Sequence, residues 1–302
     1  MTIRAVTPTA QRSVSELTPA QRLHFLVTNR IPRRWATLFI GWFSKIENPV
    51  ISRLSIWVWQ RFADDLRLEE AEKTSFKSMH DCFTRRLKAG ARSFDPDPSV
   101  VASPCDAVVG AHGRIDEETV YQAKGYPYTL TELLSERGLI DRYRNGSYVT
   151  LRLKSSMYHR FHAPCDGRVE ALTYVSGDAW NVDPITLRCI EKLFCRNERA
   201  VVEMRLDSGE TLLLVPVAAV LVASMQFTFL DYPLDLRYAG PRRIACDARF
   251  QKGDEMGFFQ HGSTILVFAP TGFQLCDDTR EGEIIRAGKG LLQRTARLST
   301  AT

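Results

Sequence analysis

Ser263 stands between Gly262 and Thr264, at the head of the apolar run Ile265-Leu266-Val267-Phe268, where a chain can attack itself. A serine hydroxyl can add to the carbonyl before it and exchange the amide for an ester. The preceding residue must then be small and conformationally free, as glycine is. Removal of the serine α-proton expels the ester, and hydrolysis of the resulting enamine leaves a pyruvoyl group at a new N-terminus. Such chemistry needs a base near neutral pH, which points to histidine, and a carboxylate can set its tautomer. Two segments can supply them: Ser103-Pro104-Cys105-Asp106 and Tyr158-His159-Arg160-Phe161-His162-Ala163-Pro164. Each piece alone has an ordinary reading. Gly-Ser ahead of a strand is usually a turn, and Asp after Ser-Pro is usually an Asx-turn residue. His159 and His162 lie three apart, so a strand sets them on opposite faces and a helix on one. As a metal pair they lack companions at ligand-like spacing, and no metal is expected.

Elements of two textures surround these groups. Thr18-Pro19 opens a helix, with Thr as cap and Pro at the first helical position. From Pro32 to about Lys73 the chain reads as helices broken at Pro49. Ile51, Leu54, Val58, Phe62 and Leu66 recur there at spacings of three and four, an amphipathic stripe. Trp35, Phe39, Trp42, Phe43, Trp57 and Trp59 crowd the same region beside Arg30, Arg33 and Arg34, and no acidic residue lies between Glu16 and Glu47. Rings beside arginines suit an interfacial membrane anchor, and equally a helical pair packed on a core. Ser75 to Leu87 gives one more helix.

From about Val100 short Val-, Ile- and Leu-rich runs read as strands: 108–109, 148–153, 168–172, 201–206, 212–222, 265–268 and 273–275. One helical insert is expected at Thr129–Arg137, with Thr129 and Glu132 as its cap. The expected fold class is α+β. A disordered tail (1–17) and an N-terminal helical membrane-associating module (18–90) precede a β-rich catalytic core (91–302).

With 302 residues, 44% hydrophobic and 25% charged, the chain is globular, neither disordered nor multispanning. Trp35 to Phe43 is about half of the roughly 20 residues a bilayer span requires. The run from Leu212 to Met225 is also short and carries Pro216, so no transmembrane helix is expected. A net charge of +5 is modest, and its arginines sit among tryptophans rather than on a recognised nucleic-acid fold, so no nucleic-acid partner is expected. Seven cysteines without a C-x-x-C pair argue for reduced thiols, and no apolar secretory signal opens the chain.

Taken in order, the motifs resemble those of the phosphatidylserine decarboxylases, from about Ile31 to Leu292. Phe83-Thr84-Arg85-Arg86-Leu87-Lys88-Ala89-Gly90-Ala91-Arg92 is similar to the family's F-x-R-x-L-K-P-G-A-R, and Ser103-Pro104-Cys105-Asp106 to its S-P-A-D-G. Gln122-Ala123-Lys124-Gly125, Tyr158 to Pro164, Leu193 to Arg199 and Lys252 to Gly257 also match. The resemblance implies a self-processing triad of Asp106, His162 and Ser263. It implies a cut between Gly262 and Ser263 into a large chain (1–262) and a small chain (263–302), joined as a heterodimer. Ser263 would become a covalent pyruvoyl cofactor.

The implied reaction converts phosphatidylserine to phosphatidylethanolamine and CO2 through an imine to that group, with His159 near the substrate. The implied place is peripheral, on the cytoplasmic face of a bacterial cell membrane, or on the mitochondrial inner membrane in a eukaryote. Self-association into a homo-oligomer stays open. Three positions depart from the family: His261 replaces the usual Leu, Ala107 the Gly after the aspartate, and Met157 a common acidic residue. Two other readings remain: a pyruvoyl decarboxylase of another amine-bearing lipid, and an uncut, inactive homologue that binds membranes.

Overall fold

The first strand begins at Val100, and the described residues from there to Arg294 hold seventeen strands. The structure is a computed structural model and describes residues 17–29, 33–123, 126–219, 224–235, 237–260 and 263–295. Nearly all of the expected tail, with Arg30, Lys124, Gly125, His261 and Gly262, lies outside the described residues.

The main sheet has eight strands. Numbered in chain order, they lie side by side as β12 (Arg243–Phe250), β7 (Gly167–Val175), β8 (Arg199–Leu206), β9 (Thr211–Ala218), β14 (Ser263–Ala269), β5 (Ser147–Leu153), β2 (Ala107–Arg114) and β16 (Ile284–Ile285). Every pairing in it is antiparallel. β9 and β14 are buried at every position, which is why they read as unbroken apolar runs rather than as alternation.

A second sheet holds β11 (Leu234–Asp235), β10 (Ser224–Phe227), β13 (Glu255–Phe259) and β6 (Arg160–His162). Gly257 lets its strands close up: a Cβ there would lie 2.2 Å from the Gln226 carbonyl oxygen and 2.6 Å from the Phe161 ring. A third sheet joins β1 (Val100–Ala102), β17 (Gly290–Arg294) and β15 (Phe273–Leu275), and β3 (Thr119–Ala123) pairs with β4 (Tyr126–Thr129). The α+β, β-rich expectation holds.

Helix α1 (Pro19–Asn29) starts where Thr18 and Gln21 cap each other's amides, at 3.1 and 3.3 Å. It docks on α7 (Pro184–Cys189), where Asn29 donates to the Thr186 hydroxyl at 2.9 Å. α2 (Arg33–Phe43) and α3 (Pro49–Phe62) follow, the second capped by the Asn48 side chain. No described helix is long and apolar enough to cross a membrane.

Two helical expectations need correction. The helix expected over Ser75–Leu87 shrinks to α4 (Met79–Phe83), because Ser78 caps its start and the Arg85 guanidinium is spent on carbonyls of neighbouring loops. The insert at Thr129–Arg137 is two short helices, α5 (Leu130–Leu134) and α6 (Arg137–Tyr143), parted at Ser135, whose φ is +57°. The expected Thr129–Glu132 capping box is present.

Candidate active site

Three stretches of backbone meet where the four-stranded sheet passes the chain to the main one. β14 opens at Ser263, which pairs with Leu153 at the end of β5 and Ala218 at the end of β9. Beyond Leu153 the chain turns through 154–159 into β6, and β6 pairs with β13. The Phe259 amide donates to the His159 carbonyl at 3.0 Å. Two pairings, Leu153 with Ser263 and His159 with Phe259, thus close a short circuit around His159. The chain from Phe259 to Ser263 spans at most about 14 Å. The 103–106 turn is stitched to the same place, since the His162 amide donates to the Pro104 carbonyl at 2.8 Å.

His162 contacts two rings, Tyr158 stacked at 5.7 Å between centroids and Phe94 tilted at 5.5 Å. Its Nδ1 lies 2.8 Å from the Gly253 carbonyl oxygen and its Nε2 3.0 Å from the Tyr158 hydroxyl. A carbonyl only accepts, so Nδ1 carries the proton and Nε2 is the basic nitrogen, accepting from the Tyr158 O–H. Burial holds this imidazole below the ordinary histidine range, against the Gly253 carbonyl and the carboxylates Glu255 and Asp106, which push it up. Burial also pushes the Tyr158 phenol up, so the hydroxyl stays a donor. The Gly253 carbonyl comes from a turn with φ +97°, which favours glycine, and a Cβ there would press on Phe94 at 3.1 Å.

His159 is fully buried, with Nδ1 2.7 Å from the Met157 carbonyl oxygen. Its ring lies 4.1 Å from that of Phe83, which in turn stacks on Trp59 of α3 at 5.7 Å. The departure at Met157 therefore leaves this contact intact, because a main-chain carbonyl makes it. The departure at Ala107 is equally benign: the residue begins β2 and does not adopt a positive φ.

Asp106 is fully buried and hydrogen-bonds neither histidine among the described residues. Arg92 holds it through Nε at 2.8 Å and Nη2 at 2.5 Å, Arg286 Nη1 at 3.0 Å, and the Ala287 amide at 2.9 Å. The expectation that a carboxylate sets the histidine tautomer is thus corrected. Main-chain carbonyls set it, and the Asp106 oxygens are taken by guanidinium groups.

The Ser263 Oγ is buried and has no hydrogen-bond partner among the described residues. Leaving a buried hydroxyl so costs about 1–3 kcal/mol, a cost that Thr264 next to it and Thr150 on β5 also carry. What sets Ser263 apart is its place as the first residue of β14, with a hydroxyl not engaged elsewhere among the described residues. Behind it, Asn197 donates to the Ala218 carbonyl at 2.8 Å and fixes the strand end beside Ser263. Asp106, His159 and His162 thus come to one junction of sheets, with Ser263 on the strand that leaves it. Gly262 lies outside the described residues. Arg92, Tyr158, Gly253 and Asn197 were visible only as members of motifs, and Arg286 carried no local signal. Among the described residues no group of three or more His, Cys, Asp or Glu could hold a metal ion.

A buried hydroxyl heads β14, and two imidazoles with Nδ1 on a main-chain carbonyl stand at the same junction, His162 on β6 and His159 on the turn before it: groups able to transfer protons. Residues 79–293 match the family model described as phosphatidylserine decarboxylase. The chain belongs to the phosphatidylserine decarboxylase family and so to the decarboxylating lyases. It is similar to the phosphatidylserine decarboxylase proenzyme of Dickeya dadantii (strain 3937), at 31% identity over 283 residues, 90% of this chain and 92% of the relative. The proenzyme of Histophilus somni (strain 129Pt) is 32% identical over 286 residues, 90% of this chain and 95% of the relative. That of Haemophilus influenzae (strain ATCC 51907 / DSM 11121 / KW20 / Rd) is 30% identical over 277 residues, 89% and 95% respectively.

Proposed function

We propose that this chain converts phosphatidylserine to phosphatidylethanolamine and CO2 with a pyruvoyl group that it makes from Ser263. The observation that carries the reading is the buried Ser263 hydroxyl, without a partner among the described residues, at the head of a central strand. In maturation the hydroxyl adds to the Gly262 carbonyl, and the amide becomes an ester. Loss of the Ser263 α-proton breaks the Cβ–O bond and frees residues 1–262 with a C-terminal carboxylate. Water then displaces the nitrogen of residue 263 as ammonia and leaves a ketone. His162 Nε2 takes the protons, and Tyr158, hydrogen-bonded to that nitrogen, must swing aside or pass the proton on. Asp106 supplies a fixed negative charge near His162.

Once formed, the pyruvoyl group supplies an electron sink for the decarboxylation. The chain's own side chains do the rest. His159, with its proton held on Nδ1 by Met157, presents a bare Nε2, which can take up a proton shed by the substrate and then return it to the substrate α-carbon. Phe83 covers the His159 ring and keeps water from it, and Trp59 backs Phe83.

The substrate lies in a bilayer, and the helical module, 18–90, has a surface for one. Trp35, Leu38, Phe39 and Trp42 on α2, with Val50, Leu54, Trp57, Val58 and Phe62 on α3, are exposed; Trp35 is 76% and Phe62 84% accessible. The polar Thr37, Ser44 and Ser52 are the buried ones. This inverted amphipathicity suits helices lying in a membrane interface, peripheral on the cytoplasmic leaflet of a bacterial membrane. The cut leaves a core, 91–302, in two chains, held together because β14 runs between β9 and β5.

Intact mass spectrometry of the purified protein tests the reading. Two chains are expected, split at Gly262–Ser263, the smaller one lighter by one ammonia than a serine-started peptide. Ser263→Ala should stay whole and release no CO2 from phosphatidylserine vesicles. Full activity from an uncut chain would overturn the reading.

A further inference from the structure

Six side chains close a ring of alternating charge around Asp106. Asp65 meets Arg286 at 2.8 Å, Arg286 meets Asp106 at 3.0 Å, and Asp106 meets Arg92 at 2.5 Å. Arg92 then reaches Glu70 at 2.8 Å, Glu70 pairs with Arg67 at 3.0 Å, and Arg67 returns to Asp65 at 2.7 Å. Three carboxylates and three guanidinium groups balance. Both oxygens of the fully buried Asp106 face donors, as a buried carboxylate requires.

The members come from distant parts of the chain. Asp65, Arg67 and Glu70 follow α3, Arg92 lies shortly before β1, and Arg286 lies beyond the cleavage point, on the small chain. The segment after α3 is held in an unusual shape: Asp65 has φ +63° and Arg67 φ +42°, left-handed conformations that side chains disfavour. A second tie runs from the same segment. Arg85 donates to the Leu66 carbonyl at 2.7 Å and to the Ser156 carbonyl at 3.1 Å, on the turn that carries His159. The residues below the exposed face of α3 therefore bear on both Asp106 and the histidine turn.

We propose that this ring positions Asp106 for self-cleavage, with Arg286 and Asp65 as positioning residues that lock the carboxylate to the foot of the membrane-facing helix. The proposal rests on the reading that Asp106 takes part in cleavage. Arg286 gives one hand to Asp106 and the other to Asp65, so the shortest path from Asp65 to Asp106 runs through Arg286. Arg92 fixes the carboxylate from the opposite direction along the ring and shares Nη2 between Asp106 and Glu70.

The test is the time course of chain splitting after cell-free synthesis, with thermal melting of each variant measured alongside. Asp106→Asn should stay whole. Arg286→Gln should slow splitting about tenfold or more, as expected for loss of a charge-assisted hydrogen bond. Arg286→Lys should recover part of the rate, because the cation is kept. Asp65→Asn should slow splitting by less, and its effect added to Arg286→Gln should be smaller than its effect on the wild type, because the shorter path is already broken. A merely structural ring would lower melting temperatures and leave the splitting rate of the folded fraction unchanged. Should Arg286→Gln not fold, Arg67→Gln, at the most exposed member of the ring, and Asp65→Asn decide the matter by the same rate. Wild-type splitting in the ring variants, with Asp106→Asn still whole, overturns the proposal. Wild-type splitting in Asp106→Asn instead removes Asp106 from the reaction, and the ring's role with it.

Discussion

A histidine whose Nδ1 is held by a main-chain carbonyl has one nitrogen left for chemistry, and its surroundings decide the charge on that nitrogen. Burial keeps His162 below the ordinary histidine range, so Nε2 is unprotonated and able to accept at neutral pH. The rate of self-cleavage against pH should therefore be flat through neutrality and fall with a midpoint below about 6.5, the ordinary value. A midpoint above it would mean that another group sets the limb. The same depression has a consequence for stability. A lowered folded value gives a contribution that is full above the unfolded value, about 6.5, and is lost as pH falls through the folded one. Comparing Ser263→Ala with Ser263→Ala/His162→Ala by denaturant titration isolates it from processing, and the double variant should lose less stability on acidification. Tyr158→Phe removes the hydroxyl that donates to Nε2 and so favours the neutral ring. The cleavage limb of Tyr158→Phe should move to higher pH. An unmoved limb would show that the phenol does not bear on the titrating nitrogen.

Helix α3 shows what pattern alone leaves undecided about an element. Ile51, Leu54, Val58 and Phe62 mark one side of it, and the period was plain because it lies within a single helix. Which way that side faces was not, because an outward apolar stripe and an inward one have the same spacing. The structure turns Leu54, Val58 and Phe62 outward, and buries Ser52 instead. Leu66 falls outside the helix and is buried, held by Arg85 on its carbonyl. The site was legible to a similar depth. Asp106, Ser263 and the segment with His159 and His162 stood out by residue type, and the family resemblance told the two histidines apart, but the contacts of Asp106 were hidden, since Arg286 is 180 positions away. Leu54→Ser with Phe62→Ser should weaken binding to phosphatidylserine vesicles at least about tenfold, as each large side chain contributes about 1.5–3 kcal/mol when fully buried. Because both are exposed, the melting temperature should hardly move, and decarboxylation of detergent-dispersed substrate should persist. Unchanged vesicle binding would place the docking surface elsewhere.

In the whole molecule the proposed cut removes a covalent link from the middle of a sheet rather than from its rim. The small chain carries β14, β15, β16 and β17. Of these β14 lies between β9 and β5, β16 pairs with β2, and β17 pairs with β1. Buried pairing on both sides holds β14 in place after the cut, as do the Arg286 and Ala287 contacts to Asp106. Folding in the other direction is a different problem. While the chain is whole, β14 is tethered to β13 and finds its slot as an intramolecular event. After the cut, a denatured small chain must be captured from solution, and meanwhile β9 and β5 expose unpaired apolar edges, which invite aggregation. The stability of the mature protein is then kinetic. Ser263→Ala, which stays whole, should recover its native signal after denaturant is diluted out. The mature two-chain protein should recover little and aggregate, although both start from the same fold. Light scattering with near-UV circular dichroism separates the outcomes. Equal recovery of both would mean that the large chain holds an open sheet without β14, and that the cut costs the fold nothing.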